Sequence, residues 1–135
     1  MKTDALILAA NDARCFAYAP YSGFGVGAAV LAKDGTIFTG CNVENLSYGL
    51  TNCAERIAIF KAISEGRREL IHLVIVADTQ EPITPCVACK QVASEFSETL
   101  RITSVTVSGR SKTWTFAELL LNPKRGIRNV PRGTI

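Results

Sequence analysis

The sequence has no apolar run of the ~18 residues that a membrane-crossing helix needs, so a membrane is not an expected partner. Its start, Met1-Lys2-Thr3-Asp4, enters an alanine-rich amphipathic stretch directly and lacks the continuous apolar core of a signal peptide. A cytoplasmic location is the expectation. There is no internal repeat, linker or low-complexity segment, and histidine is scarce, with His72 the single example. Nor is there a strong excess of one charge. The net charge is +3, and much of it gathers at Lys124, Arg125, Arg128 and Arg132, in a stretch with no acid. A nucleic-acid footprint needs a wide basic face with interleaved aromatics. That face is missing, so the basic stretch reads as a solvated tail and nucleic acid is not an expected partner.

What is present is an ordinary globular composition: 135 residues, 47% apolar and 20% charged. That length supports one domain with its own core. We read residues 1–135 as a single domain, with 122–135 as its basic tail. Five cysteines occur, at 15, 41, 53, 86 and 89. An odd count without a secretory leader argues against a disulfide framework and favours metal binding or catalysis for the clustered ones.

Leu6, Ala10, Ala13 and Ala17 recur at helical spacing, which predicts a helix over about 3–18, ended by Pro20. Phe24–Leu31 and Thr36–Val43 predict two strands joined by a tight Asp34-Gly35 turn. Glycines at 23, 25 and 27 crowd the first of these. They mark either a close approach by a ligand or another backbone, or a bulge at the strand end. A helix is expected over about 53–65, apolar nearly all round and stopped by Gly66. Leu70–Ala77 suits a strand covered on both faces. A third helix is expected over about 86–97, with Cys89, Val92, Ala93 and Phe96 on one face. Strands follow at Ile102–Val107 and Lys112–Thr115. The turn between them is too short for a parallel crossover, so they should be antiparallel. A short helix is expected over Phe116–Leu121. The order αββαβαβ(β)α predicts an α/β fold: a three-layer αβα sandwich with a five-stranded mixed sheet and helices on both faces.

Chemistry concentrates at two helix starts. Cys53 opens one, in Thr51-Asn52-Cys53-Ala54-Glu55-Arg56; Cys86 and Cys89 open the other, in Pro85-Cys86-Val87-Ala88-Cys89-Lys90. A C-x-x-C spacing on a helix puts both sulfurs on one face, within reach of one tetrahedral metal. Helix N-termini favour thiolates. If the helices lie side by side, their starts converge. Three cysteines fill three of zinc's four positions, and a structural site normally fills all four. An open fourth position takes water, whose pKa zinc lowers toward ~7. Arg56 is placed to donate to a cysteine sulfur and offset the thiolate charge; the alternative is a surface arginine. Glu55 reads either as a proton carrier beside that water or as a capping-box glutamate, with Asn52 as N-cap. Cys86 and Cys89 have a thioredoxin-like redox pair as their alternative. Cys15 and Cys41 read as inert core thiols.

Cys53-Ala54-Glu55 with Pro85-Cys86-Val87-Ala88-Cys89 is the C/H-x-E plus P-C-x-x-C pattern of zinc deaminases. With Ala19-Pro20-Tyr21-Ser22-Gly23-Phe24, Val26-Gly27-Ala28-Ala29, Gly40-Cys41-Asn42-Val43-Glu44-Asn45 and Glu118-Leu119-Leu120, the chain resembles the small homotetrameric cytidine deaminases along nearly its whole length. That resemblance implies one zinc per subunit on Cys53, Cys86 and Cys89, with Glu55 as the acid and base. It implies a nucleoside substrate, with Asn42 and Glu44 on the ribose hydroxyls, Phe24 against the pyrimidine ring, and the Ala54 backbone reading the base edge. Asn42 and Glu44, two apart on a strand, point to one side; a polar strand end is the alternative reading. Tyr48 lies in a segment, Glu44–Leu50, that in the family helps build a neighbouring subunit's site. The implied reaction is hydrolytic deamination at C4 of cytidine or 2'-deoxycytidine, in pyrimidine salvage, giving ammonia and uridine or 2'-deoxyuridine.

Three departures stand out. Val87 replaces the usual glycine between the paired cysteines, and Lys90 replaces the usual arginine, whose planar bidentate contact lysine cannot reproduce. No aromatic follows Leu121. These point to a more open pocket and a range that extends to N4- or C5-modified cytidines. Three alternatives remain: a nucleoside-antibiotic deaminase of the blasticidin S type, a structural zinc-binding interaction module, and an RNA-editing deaminase, which needs an open groove and basic patches where only the tail offers basic charge.

Overall fold

The computed structural model describes residues 2–97, 99–115 and 118. Three helices and five strands follow in the order α1 (Lys2–Arg14), β1 (Val26–Ala32), β2 (Ile37–Cys41), α2 (Ala54–Ser64), β3 (Leu70–Ala77), α3 (Val87–Phe96), β4 (Arg101–Thr106) and β5 (Ser111–Trp114). The strands form one sheet in the order β2-β1-β3-β4-β5. Only β3 and β4 run parallel, and α3 is the crossover between them. The β4–β5 pair is antiparallel, as the short turn requires. The expected helix at 116–121 and the tail at 122–135 lie outside the described residues, Glu118 apart.

The sheet divides two apolar layers. Leu6 and Ala10 of α1 pack with Ala29, Leu31, Val74, Val76 and Val105 on one face. On the other, Ala54, Ala58, Ile59 and Ala62 of α2 and Ala93 of α3 pack with Val30, Leu73, Ile75 and Ile102. This is the expected three-layer arrangement. β1 and β3 are buried almost throughout because helices cover both their faces.

Two glycines set the helix-to-sheet distance. A Cβ on Gly27 would lie 1.9 Å from the Ala10 carbonyl oxygen, so α1 rests directly on β1. One on Gly40 would lie 2.5 Å from the Ala54 oxygen and 2.6 Å from the Ala58 nitrogen, so α2 rests on β2. The crowded glycines therefore answer, at Gly27, to a close backbone and not to a ligand.

Element ends differ from expectation where local chemistry intervenes. α1 stops at Arg14, and i→i−3 bonds from Cys15, Phe16 and Ala17 tighten the chain before Pro20. α2 ends as expected: Gly66 sits at φ +85°, and the Arg67 amide donates to the Ala62 carbonyl at 2.9 Å. Among the described residues no helix is long and apolar enough to cross a membrane.

Candidate metal and nucleoside site

α2 and α3 lie on the same face of the sheet, and both begin at the end where β3 finishes. Cys53 is the N-cap of α2 and Cys86 the N-cap of α3. The Cys86 sulfur accepts the Cys89 amide at 3.3 Å, so one candidate ligand also caps its helix. The capping-box reading of Asn52 and Glu55 is corrected here. The cap is Cys53, one residue later, and it makes no side-chain capping bond.

The Cys53, Cys86 and Cys89 sulfurs all lie within 4.8 Å of one another. Cys53 to Cys86 is 3.5 Å and Cys86 to Cys89 is 3.0 Å. Sulfurs placed tetrahedrally around zinc at ~2.3 Å stand ~3.8 Å apart. The trio fits that span, and all three thiols are free. His72 is not near this role: it is buried in β3, with its Nε2 2.7 Å from the Thr103 hydroxyl.

The thiols do not share charge evenly. Without metal, Cys53 is held down to about 5, chiefly by a hydrogen bond with Cys89 and then by Arg56 and Cys86. Cys89 is pushed up by the same bond and by burial. The anion sits on Cys53, at a helix start and within 3.6 Å of Arg56 Nη2. That nitrogen also donates to the Thr51 carbonyl at 3.4 Å, while Arg56 Nε is buried with no hydrogen-bond partner. Arg56 is thus not the surface arginine of the alternative reading.

Glu55 is only 4% exposed, although it belongs to the first turn of α2. Burial raises its carboxyl to about 7, and the Cys53 charge adds to the rise. A carboxyl poised near neutrality beside a metal-binding trio is equipped to take and return a proton.

A second cluster adjoins the first. Val43 exchanges backbone bonds with Asn52 (3.0 and 2.9 Å), the residue before Cys53. On its other side, Tyr18 donates to Asn42 at 2.9 Å and accepts from Glu44 at 2.8 Å. Residues 42–44 are held between these two segments. Asn42 Oδ1 accepts the Val26 amide at 2.8 Å, and its Nδ2 donates to the Phe24 carbonyl at 2.7 Å. Glu44 Oε1 accepts the amides of Tyr21 (3.0 Å) and Ser22 (3.1 Å), and Oε2 accepts the Ser22 hydroxyl. Those bonds hold its carboxyl below the ordinary range, that of the Ser22 hydroxyl most of all. Phe24 is 38% exposed and Ala54 is fully buried.

Tyr48 lies apart from the thiols. It sits in a single 3-10 turn, Tyr48–Leu50, is 90% exposed, and lines a cleft of ≈ 230 Å³ with Tyr21, Ser22 and Glu44. Sequence reasoning gave Ser22 no role. The only signal was its place between Tyr21 and Phe24.

The fold and the thiol trio define a protein with a candidate centre for one metal ion at the converging starts of two helices. Residues 1–106 match the family described as the cytidine and deoxycytidylate deaminase zinc-binding region. A cytidine deaminase of Halalkalibacterium halodurans is 58% identical over 95 residues, covering 70% of this chain and 72% of that protein. One from Sporosarcina psychrophila is 49% identical over 121 residues, 89% of each. The crystal structure of cytidine deaminase from Burkholderia pseudomallei matches with a TM-score of 0.86 at 48% identity, over 89% of this chain and 97% of that one. The chain belongs to the cytidine and deoxycytidylate deaminase family, and its cofactor is zinc.

Proposed function

We propose that this protein is a cytidine deaminase that converts cytidine and 2'-deoxycytidine to uridine and 2'-deoxyuridine with release of ammonia. One observation carries the reading: a buried carboxyl, Glu55, sits two residues from Cys53 in a trio of converging thiols. Cys53, Cys86 and Cys89 would hold one zinc ion. When bound, zinc supplies a water of lowered pKa, ~7, at a position that the three thiolates leave open.

The remaining chemistry falls to the chain's own groups. Glu55 receives a proton of the attacking water and passes it to N3 of the pyrimidine. It then delivers a proton to the departing 4-amino group, so one water is consumed and one ammonia released. Arg56, donating to Cys53, draws charge from the thiolate and keeps the centre electrophilic. Phe24 packs on the pyrimidine, the Ala54 backbone reads the base edge, and Asn42 and Glu44 take the ribose hydroxyls. The bonds that Asn42 and Glu44 already make leave each with hydrogen-bonding capacity for a sugar.

The chain acts as a single domain over 1–135, with 122–135 as a basic tail, in pyrimidine salvage. We assign it a cytoplasmic location, in keeping with five free cysteines. A homotetramer, with Tyr48 serving a neighbour's site, accounts for the exposure of Phe16 (81%), Leu46 (83%), Tyr48 (90%) and Leu50 (66%) in the single chain. Val87, Lys90 and the tail without aromatics support a range that includes N4- or C5-modified cytidines. The interaction-module reading is not favoured, since among the described residues no fourth ligand joins the trio. The antibiotic-deaminase reading is not favoured either, since the relatives above are cytidine deaminases.

Loss of absorbance at the cytidine band tests the proposal. The expected result is loss with either nucleoside, abolished by a zinc chelator and restored by Zn²⁺. No loss with either nucleoside by the zinc-loaded protein overturns it.

A further inference from the structure

Serine 22 occupies an unusual place between the two ends of the nucleoside site. Its hydroxyl has one proton and two lone pairs. The proton goes to Glu44 Oε2, and a lone pair accepts the Phe24 amide at 3.0 Å. One oxygen therefore ties the ribose-facing carboxylate to the backbone of the residue assigned to the ring. Gly23, at φ +69°, lets the chain turn between them, and its amide donates to the Ala19 carbonyl at 2.9 Å.

The bonds also fix what Glu44 can still accept. Oε1 already receives two backbone amides, and Oε2 receives the Ser22 hydroxyl. An ionised carboxylate only accepts hydrogen bonds, and two oxygens offer about four places. Roughly one place is left, on Oε2, and only a donor can fill it. A sugar hydroxyl fits. A sugar without hydroxyls leaves the place empty, and a phosphate brings like charge.

We propose that Ser22 is a specificity-determining positioning residue: it aims Glu44 at a ribose hydroxyl and holds Phe24 in register with it, restricting the substrate class to nucleosides with a free secondary hydroxyl. This rests on Glu44 being the ribose acceptor. Ser22 touches no reacting atom; it acts through the two residues that it joins.

The test compares cytidine with 2',3'-dideoxycytidine in the zinc-loaded enzyme. Ser22→Ala should raise the KM for cytidine about ten-fold or more, the scale of a lost bond to a charged group. It should leave kcat within about two-fold and shrink the preference for cytidine over the dideoxy analogue. Ser22→Thr keeps the hydroxyl and should restore most of that preference. Equal losses with both nucleosides would mean general loosening of the loop and overturn the proposal. So would a Ser22→Thr enzyme that behaves like Ser22→Ala. Glu44→Gln separates the two layers. If it leaves the preference intact, the ribose role of Glu44 fails. If it collapses the preference while Ser22→Ala does not, the role of Ser22 fails and that of Glu44 stands.

Discussion

Val43 and Asn52 exchange both backbone hydrogen bonds, at 3.0 and 2.9 Å, in an antiparallel bridge outside the main sheet. Asn52 precedes the thiolate Cys53, and Val43 separates Asn42 from Glu44. The segment proposed to face the sugar and the helix start that carries a candidate metal ligand are therefore joined through one pair of amides.

Removing the Glu55 carboxylate should leave the metal in place and stop the chemistry. Glu55→Gln is nearly isosteric and is not among the thiol ligands. We expect a fall in kcat of about 10²–10⁴-fold, the usual worth of a positioned acid and base, with zinc content unchanged by metal analysis.

Each of the three thiols should be needed for zinc. Cys53→Ala, Cys86→Ala and Cys89→Ala should each purify with little metal and no activity. The two N-cap cysteines should differ, because only the Cys86 sulfur accepts a helix amide. Compared as metal-free proteins, Cys86→Ala should melt below Cys53→Ala, by a cap's worth of about 0.5–2 kcal/mol.

Gly40→Ala and Gly27→Ala should both destabilise, since each added Cβ meets a helix backbone. Overpacking of this kind costs typically about 1–3 kcal/mol. The two should part in their effect on metal. Gly40 lies under Ala54, beside Cys53, so its alanine variant should bind zinc more weakly. Gly27 lies under α1, on the other face of the sheet, so its variant should keep normal zinc affinity. Thermal melts and competition with a chromogenic chelator read both quantities.

His72 should make stability fall in mild acid. Burial, and then the charge of Arg101, lowers its pKa below the ordinary 6.5. The unfolded chain therefore takes up the proton first. The contribution is complete above the unfolded pKa and is lost as pH falls from there toward the folded value. Glu55, with its raised carboxyl, works the other way in the same window, so the test is the difference: between pH 7.5 and pH 5, urea unfolding of His72→Gln should lose less stability, or gain more, than that of the unmodified protein.

Val87 is 77% exposed at the start of α3, so replacing it should not disturb the core. Val87→Gly should preserve turnover of cytidine and lower the relative rate on N4-substituted cytidines. Strict rejection of all such analogues by the unmodified protein would remove the broadened range.

Much of this fold was legible because its elements are locally unambiguous. Leu70–Ala77 has the bounds that its apolar run implied, and Gly66 ends α2 where a left-handed residue was needed. The Cys86–Cys89 pair was legible from its spacing at a helix start; that Cys53 joins it depended on two helices lying side by side and on the resemblance to the zinc deaminases. Other features were not legible. α1 ends at Arg14 because i→i−3 bonds, which the apolar spacing does not distinguish from helix, take over before the proline. Cys53 displaces Asn52 as N-cap, against the usual preference for asparagine. Ser22 looked like an ordinary loop serine because its partner Glu44 lies 22 residues away.

Cys53 starts α2 without accepting a helix backbone amide; its sulfur receives the Arg56 guanidinium instead. In the absence of metal the amides of the first turn of α2 therefore have no side-chain cap, where those of α3 have one. Zinc adds to the stability of the folded chain, so in a cell short of zinc newly made chains would open, and be cleaved, more often. Metal supply would then govern how long the protein survives as well as how fast it works.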